Sequence, residues 1–191
     1  MNLLNLAIDQ ESVSIVQFIQ NQFKAHDEER KSLVNHRYLR GMQAIHQVMS
    51  LGHLTLINIV VEMGGDLAST MHNSLTPMHC AAQTYHGLLS LALMTKQYRI
   101  CATQRDDMQA TPLHFAATYH ITKNIEWLIS QGADLDAQDV QGHTTLHLCV
   151  VRLLKEPEYF DEYKRIIKSL LFAGAKRTIR TRRKQTALDI L

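Results

Sequence analysis

The chain contains 191 residues, of which 46% are hydrophobic and 20% are charged, and its formal net charge is +2. That small charge gives no basic surplus of the kind that drives nucleic-acid binding, so nucleic acid is not an expected partner. No apolar run approaches the ~18 residues of a membrane helix, and the N-terminus lacks the basic and apolar regions of a secretory signal. The three cysteines are widely separated, which argues against a disulfide framework and favours a reducing, cytoplasmic location.

A four-residue pattern that ends in histidine recurs along the chain. Its copies are Gln43-Ala44-Ile45-His46, Thr76-Pro77-Met78-His79, Thr111-Pro112-Leu113-His114 and Thr144-Thr145-Leu146-His147. Successive histidines are separated by 33, 35 and 33 residues. A fixed period of this length is typical of stacked supersecondary repeats, each of which buries its apolar face against its neighbours. We therefore expect an elongated array that presents a long surface.

The copy at residues 111–114 shows most clearly how such a unit is built. Thr111 can cap a helix that begins at Pro112, because proline lacks the N–H that a first helical turn leaves unpaired. Ala116 and Ala117 are small enough to let a neighbouring helix approach closely. Residues 127–129, Trp-Leu-Ile, supply apolar bulk to a second helix, and a glycine soon follows to end it.

These residues resemble ankyrin repeats, whose units of about 33 residues carry a Thr-Pro-Leu-His-x-Ala signature. The resemblance implies an all-α solenoid of helix-turn-helix units with β-turn or hairpin tips, and a function in protein–protein recognition. The expected units are residues 1–35, 36–68, 69–104, 105–137, 138–179 and 180–191, of which the first is degenerate and the last truncated. The fifth unit carries an insertion near residues 155–163, which is either a loop or a lengthened helix. The truncated last unit leads us to expect that the chain is part of a longer protein.

Histidine is abundant, with 11 residues, but no metal-binding or catalytic motif accompanies it. Histidines one repeat apart lie roughly 10 Å apart, which is too far for shared coordination of a metal ion. The resemblance instead implies a structural role, in which each histidine bonds to turn backbone and joins neighbouring units. The signature residues expected to act in this way are His46, Thr76, His79, Thr111, His114, Thr144 and His147. We expect no catalytic residue, no cofactor and no metal ion, and buried, inert positions for Cys80 and Cys149.

Two Tyr-His pairs recur 34 residues apart and are candidates for partner contact. Tyr85-His86 and Tyr119-His120 follow the first helices of their units, close to the concave groove of an ankyrin array. They either form a binding stripe, because tyrosine provides a large contact area at low entropy cost, or pack one ring each against the next repeat.

The turn tips are the second place where partner contact is expected. The tips lie at residues 105–109 and 138–141. Met108 is a candidate for partner contact there, because methionine is apolar and adaptable. Asp107 and Asp139 are expected to be turn formers only, since aspartate favours turns for local reasons.

A basic stretch near the C-terminus has two interpretations. Residues 176–184 contain six cations and no acid. They form either a solvated final hairpin or an attachment to an acidic partner or to an anionic lipid surface, the last at about 1 kcal/mol per cation near a membrane. Arg180, Arg182 and Arg183 are the residues that we expect to make such a contact.

The order of the units resembles a narrower group. A unit with a poorly formed second helix is followed by a regular unit and then by a unit with an insertion, which ends Leu170-Leu171-Phe172-Ala173-Gly174-Ala175. This order is similar to that of the ankyrin region that precedes the membrane domain of protist Asp-His-His-Cys palmitoyltransferases. The catalytic cluster of that family is missing from these residues, so no catalytic residue is assigned. The resemblance implies a protein- or peptide-binding part that recruits substrates. The alternative is a stand-alone cytosolic adaptor or inhibitor in signalling.

Overall fold

The computed structural model describes residues 2–191, and the regular elements in that range are helices without any strand. The α-helices are α1 (Leu3–Asp9), α2 (Val13–Gln22), α3 (Asp27–Val34), α4 (Ala44–Leu51), α5 (Leu54–Glu62), α6 (Pro77–Ala82), α7 (Leu88–Ala92), α8 (Pro112–Thr118), α9 (Thr122–Ser130), α10 (Thr145–Lys155) and α11 (Phe160–Phe172). Short 3-10 turns lie between some of them, including Pro157–Tyr159. The prediction of an all-α fold is confirmed.

The helices form two layers. In the first layer α1, α4, α6, α8 and α10 contact one another in that order, and in the second layer α2, α5, α7, α9 and α11 do the same. Side chains such as Ile45, Leu113, Leu128 and Ile166 are fully buried in the core. This is the solenoid that the sequence predicts, and a repeat array of this kind is stabilised by the sum of its local contacts.

The first-layer helices begin with a shared hydrogen-bonding arrangement. At α8 the side chain of Thr111 caps the helix, while Nδ1 of His114 accepts the Thr111 N–H at 3.1 Å. The same capping box starts α6 and α10, and it starts α4 with Gln43 in place of threonine. Because Nδ1 accepts a hydrogen bond, the proton of each neutral imidazole lies on Nε2.

That Nε2 proton connects one unit to the next. His79 donates to the carbonyl of Ala110 at 3.2 Å, and His114 donates to the carbonyl of His143 at 3.2 Å. His147 reaches Gln185 in the same way at 3.3 Å. Burial lowers the pKa of all three imidazoles, so the neutral form that this arrangement needs is favoured.

His46 departs from this pattern in one respect. It makes the capping contact with the Gln43 N–H at 3.3 Å, but its buried Nε2 makes no well-formed hydrogen bond. Burial lowers the pKa of His46 to about 4. The first of the four histidines therefore caps its helix without fixing the next turn as the others do.

Tight turns precede α4, α6, α8 and α10, and a fifth precedes the 3-10 turn Leu188–Ile190. Each is closed by a backbone hydrogen bond from its first residue to its fifth, and the turns span residues 38–42, 71–75, 106–110, 139–143 and 181–185. Successive turns also bond to each other: the N–H of Asp107 donates to Asn73, that of Val140 to Met108 and that of Arg182 to Gln141, at 3.0, 2.9 and 2.9 Å. The last four turn tips, from residues 71–75 to residues 181–185, therefore form a continuous hydrogen-bonded edge.

One turn assignment from the sequence is wrong. Asp139 does act as a turn former, since its Oδ1 accepts from the N–H groups of Gln141 and His143 at 2.8 Å each. In the preceding turn that role belongs to Asp106, which is buried and accepts from Ala110 at 2.7 Å. Asp107 instead accepts a hydrogen bond from Ser74 of the previous tip. Asp106 lies 33 residues before Asp139, so the two aspartates occupy the same position in successive repeats and accept the same kind of turn hydrogen bond.

Three regions depart from the regular repeat. The N-terminal region contains an extra helix, α3, which the sequence patterns did not predict. The second helix at residues 88–97 is short and continues as a π-helical turn, Leu93–Gln97, in agreement with its irregular sequence. In the last full unit, α10 and α11 are longer than their counterparts, and only the turn Pro157–Tyr159 separates them. Most of the insertion is thus built into lengthened helices.

Candidate partner-binding surfaces

Four aromatic rings from three successive units lie together where first-layer helices end. The imidazole of His120 stacks on the ring of Tyr159, with centroids 3.8 Å apart and planes 20° apart. Tyr85 and Tyr163 meet the same imidazole edge-on, at centroid distances of 6.0 and 5.9 Å. We call Tyr85, His120, Tyr159 and Tyr163 the aromatic row. It connects the segments that follow α6, α8 and α10.

Tyr85 stands on a segment that is fixed from both sides. The hydroxyl of Thr84 donates to the carbonyl of Ser50, in the preceding unit, at 2.9 Å. From the following unit, the side-chain amide of the buried Asn124 donates to the carbonyl of Thr84 at 2.9 Å. The backbone before Tyr85 is therefore held by its neighbours, while the tyrosine ring remains 65% exposed.

His120 occupies an uncommon backbone conformation at the end of α8. Its N–H donates to Ala117 and the next N–H, of Ile121, donates to Ala116, which is the hydrogen-bonding pattern of a Schellman motif. The residue at this point has a φ of +50°, in the left-handed region that glycine normally takes. A histidine accepts some backbone strain here, and its imidazole gains the stacking contact with Tyr159.

Hydrogen bonds among Arg152, Glu156 and Tyr163 hold one ring of the row in place. The Tyr163 hydroxyl donates to Glu156 at 2.8 Å, and Arg152 donates to the other carboxylate oxygen of Glu156 at 2.6 Å. The bond from Tyr163, with a further contribution from Arg152, lowers the pKa of Glu156. Burial, followed by the hydrogen bond to this carboxylate, raises the pKa of Tyr163. Tyr163 is fully buried and thus fixes the insertion against α8 and α10.

The predicted Tyr-His pairs do not act as pairs. Tyr85 and His120 meet each other across two units, so each pair contributes one ring to the row. His86 is exposed and Tyr119 is 46% exposed, and neither stacks on another ring in the part of the chain that the structure describes. The two further rings, Tyr159 and Tyr163, were not predicted. They come from the insertion, whose position the sequence indicates but whose conformation it does not determine.

The turn tips present Met108 on a fixed backbone. Its side chain is 50% exposed, whereas its carbonyl accepts the N–H of Val140. Arg105 further stabilises this turn and joins it to the next one, because its guanidinium donates to the carbonyls of Gln109 and Gln138 at 3.1 Å each. The methionine side chain is therefore displayed from a rigid turn.

The basic stretch is partly engaged within the chain. Lys176 pairs with Asp136 at 3.3 Å, and Arg180 lies 3.8 Å from Asp189 while donating to the carbonyl of Lys184 at 2.6 Å. The exposed side chains of Arg182 and Arg183 make no ion pair with any residue from 2 to 191. With Arg177 and Lys184, which are also exposed and form no ion pair in the described range, they remain available to an anion.

The chemistry of the buried groups matches an unreactive interior. Burial raises the pKa of the Cys80 thiol to about 12 and also raises that of Cys149. Over residues 2–191, histidine, cysteine and carboxylate side chains nowhere cluster as a metal site of three or more ligands. No helix in this described range combines the length and the apolar character that crossing a bilayer requires.

Comparison with known proteins supports the ankyrin assignment. A family model described as "Ankyrin repeat" matches residues 108–140. The chain is 24% identical over 126 residues to the transient receptor potential cation channel subfamily A member 1 of Drosophila melanogaster, covering 64% of this chain and 10% of the channel. It is 25% identical over 151 residues to the human SH3 and multiple ankyrin repeat domains protein 2, covering 78% and 8% respectively.

A third relative bears on the narrower resemblance. The chain is 40% identical over 47 residues to the palmitoyltransferase AKR1 of Lachancea kluyveri, which covers 25% of this chain and 6% of that protein. The matched regions of these three relatives span at most a tenth of their own length. Ankyrin repeats indicate a protein–protein interaction module. The two-layer array, its histidine-joined turns and these matches together identify the chain as an ankyrin-repeat protein.

Proposed function

We propose that the chain binds a protein or peptide partner through two surfaces: the aromatic row with its exposed neighbours, and the turn tips around Met108. The observation that carries the proposal is the alignment of rings from three units, in which Tyr85 is 65% exposed on a fixed backbone. An aromatic side chain held in this way loses little conformational entropy when a partner covers it. Exposed Tyr119 and His86 border the same helix ends and extend the proposed surface.

The test is capture of partners by the intact chain, followed by direct binding measurements with one purified partner. We expect a variant that combines Tyr85→Ala, Met108→Ala and Tyr119→Ala to lose at least about tenfold in affinity, because tyrosine is enriched among the few interface residues whose truncation costs about 2 kcal/mol or more. Gln17→Ala, an exposed substitution on α2, is the matched control and should bind normally. If the combined variant binds every captured partner with unchanged affinity, this binding face is wrong.

A second proposal concerns the setting of the module. We propose that it serves as the substrate-recruiting part of a membrane palmitoyltransferase at the cytosolic face of a membrane. The short similarity to palmitoyltransferase AKR1 and the unpaired Arg182 and Arg183 favour this over the alternative, a stand-alone cytosolic adaptor or inhibitor. Sedimentation with liposomes tests the basic stretch. Binding should require anionic lipid and should weaken when Arg180, Arg182 and Arg183 are replaced by glutamine; binding without that dependence would exclude the membrane contact.

A further inference from the structure

We infer that the aromatic row and the acidic residues beside it form a docking site for an arginine-bearing segment of a partner protein. The inference rests on the proposed function and gives the partner a chemistry. It draws on three features of the molecule: the charge of the insertion, the free ring of Tyr85, and the way in which this chain already uses its own cations.

The insertion places an uncompensated negative charge next to the row. Residues 156–162 contain four acids and no base. Glu156 is engaged by Arg152 and Tyr163, but Glu158, Asp161 and Glu162 are exposed and form no ion pair within the described chain. These acids adjoin Tyr159, which carries the central stack of the row. A cationic segment is the kind of ligand whose charge complements this surface.

Cations of the chain itself already cover other aromatic rings. Lys96 places its Nζ 4.8 Å from the ring centroid of Trp127, and Lys164 places its Nζ 5.8 Å from that of Phe160. Both distances lie within the ~6 Å range of a cation–π contact. Across residues 2–191, no such contact involves Tyr85, although its ring is 65% exposed. Tyr85 is thus a ring that an external cation can cover.

Unpaired carboxylates and an exposed ring occur along the same aromatic row. Burial, Tyr159 and Glu162 each raise the pKa of Tyr85, which agrees with a carboxylate that shares its surroundings. A guanidinium group can stack on a tyrosine ring while its N–H groups bond to a carboxylate, whereas a lysine ammonium is a single, strongly hydrated charge. The ring of Tyr85 meets His120, which stacks on Tyr159, and unpaired acids flank Tyr159 in the sequence. An exposed ring in a row that carries unpaired carboxylates favours arginine over lysine.

No nearby basic group, the exposed Lys155 included, forms an ion pair with Glu158 or Glu162 in the described range. Arg152 is bonded to Glu156 at 2.6 Å, and Arg165 is bonded to Glu126 at 3.0 Å. Lys164 lies over Phe160. Since these three cations have other partners, they do not neutralise Glu158 or Glu162 by direct pairing. An incoming arginine would meet acids that are solvated but unpaired.

The experiment uses a fluorescein-labelled peptide of three Arg-Gly-Gly repeats and the same peptide with citrulline at every arginine. Fluorescence anisotropy with the full chain should give at least about tenfold weaker binding for the citrulline peptide, because citrulline lacks the charge that pairs with carboxylates. Binding of the arginine peptide should weaken between about 50 mM and about 300 mM salt. A matching lysine peptide should bind more weakly than the arginine peptide.

Variants assign the effect to the row. Tyr85→Ala should weaken arginine-peptide binding roughly threefold to fivefold, and Tyr85→Phe, which keeps the ring, should bind nearly as well as the parent. Glu162→Gln should weaken it about twofold. Phe18→Ala, which removes an exposed ring on α2 far from the row, serves as the control and should have no effect; circular dichroism confirms that each variant is folded.

Two outcomes would overturn the inference: equal affinity for the arginine and citrulline peptides, or equal affinity of the Tyr85→Ala variant and the parent. Neither would by itself remove the proposed function. A purified partner that still depends on Met108 and Tyr119 would leave the interaction module in place and show that its ligand is not cationic at this site. Loss of all partner dependence on Tyr85, Met108 and Tyr119 would instead contradict the proposed function itself.

Discussion

The two ends of the first-layer helices are built by different means. At their N-terminal ends the same threonine, histidine and turn hydrogen bonds recur in α6, α8 and α10. At their C-terminal ends the units are joined by one aromatic row, whose members come from an exposed loop, a left-handed residue and an insertion. The regular edge secures the array, and the irregular edge carries residues that differ from unit to unit. Specificity is therefore expected at the irregular edge.

Replacing His114 by alanine should be the most damaging change and tests the regular edge. The variant loses the bond to Thr111 and the bond to His143, and it leaves buried groups unpaired. We expect the free energy of unfolding to fall by roughly 3 kcal/mol. Denaturant unfolding followed by circular dichroism measures this. Unchanged stability would mean that the repeated histidines do not secure the array.

Acid should weaken the same edge through its buried histidines. Unfolded His46 takes up a proton near pH 6.5, but the folded protein resists this until about pH 4. The unfolded state therefore binds more protons between these values, and stability falls as the pH falls through that window. Between pH 7 and pH 5, we expect His46 alone to account for a loss of about 2 kcal/mol.

The matched variant is His46→Gln, because glutamine can still accept the capping bond but does not titrate. Unfolding free energies of parent and variant should be measured at both pH values. The variant should lose less stability on acidification than the parent. Equal losses would show that protonation of His46 does not contribute.

Replacing Tyr163 by phenylalanine should have the smallest effect and tests the irregular edge. The ring and its packing remain, while the hydroxyl bond to Glu156 at 2.8 Å is lost. Because Arg152 still engages the carboxylate, we expect a loss of about 1 kcal/mol, measured by the same denaturant unfolding. If Tyr163→Phe lowered the free energy of unfolding as much as His114→Ala does, the two edges would contribute equally to stability, against this prediction.

The sequence predicts the regular edge well because local chemistry determines it. The spacing of the histidines, and threonine followed by proline, indicate where α6 and α8 begin, and the two-layer array follows from repetition. The assignment to Asp107 is wrong because two adjacent aspartates offer the same turn chemistry; the 33-residue step to Asp139 and the burial of Asp106 distinguish them.

The irregular edge is less predictable. Tyr85 and His120 were recognised as candidates, but their contact depends on the left-handed backbone at His120, which no sequence pattern signals. Tyr159 and Tyr163 were missed because an insertion has no counterpart in the other units from which its conformation could be read. Their placement depends on contacts with α8 and with Glu156, which are distant or non-repeating features.

The hydrogen bonds between successive turn tips have a mechanical consequence. Asp107, Val140 and Arg182 each donate a backbone N–H to the tip before them, so the spacing of the tips is set by links that stretch little. The opposite edge is held across units by side-chain hydrogen bonds, such as those of Thr84 and Asn124, and by stacked and edge-on rings. When a partner bends this array, the units should pivot about the tips, and the ring contacts, which have no fixed donor and acceptor, should adjust first.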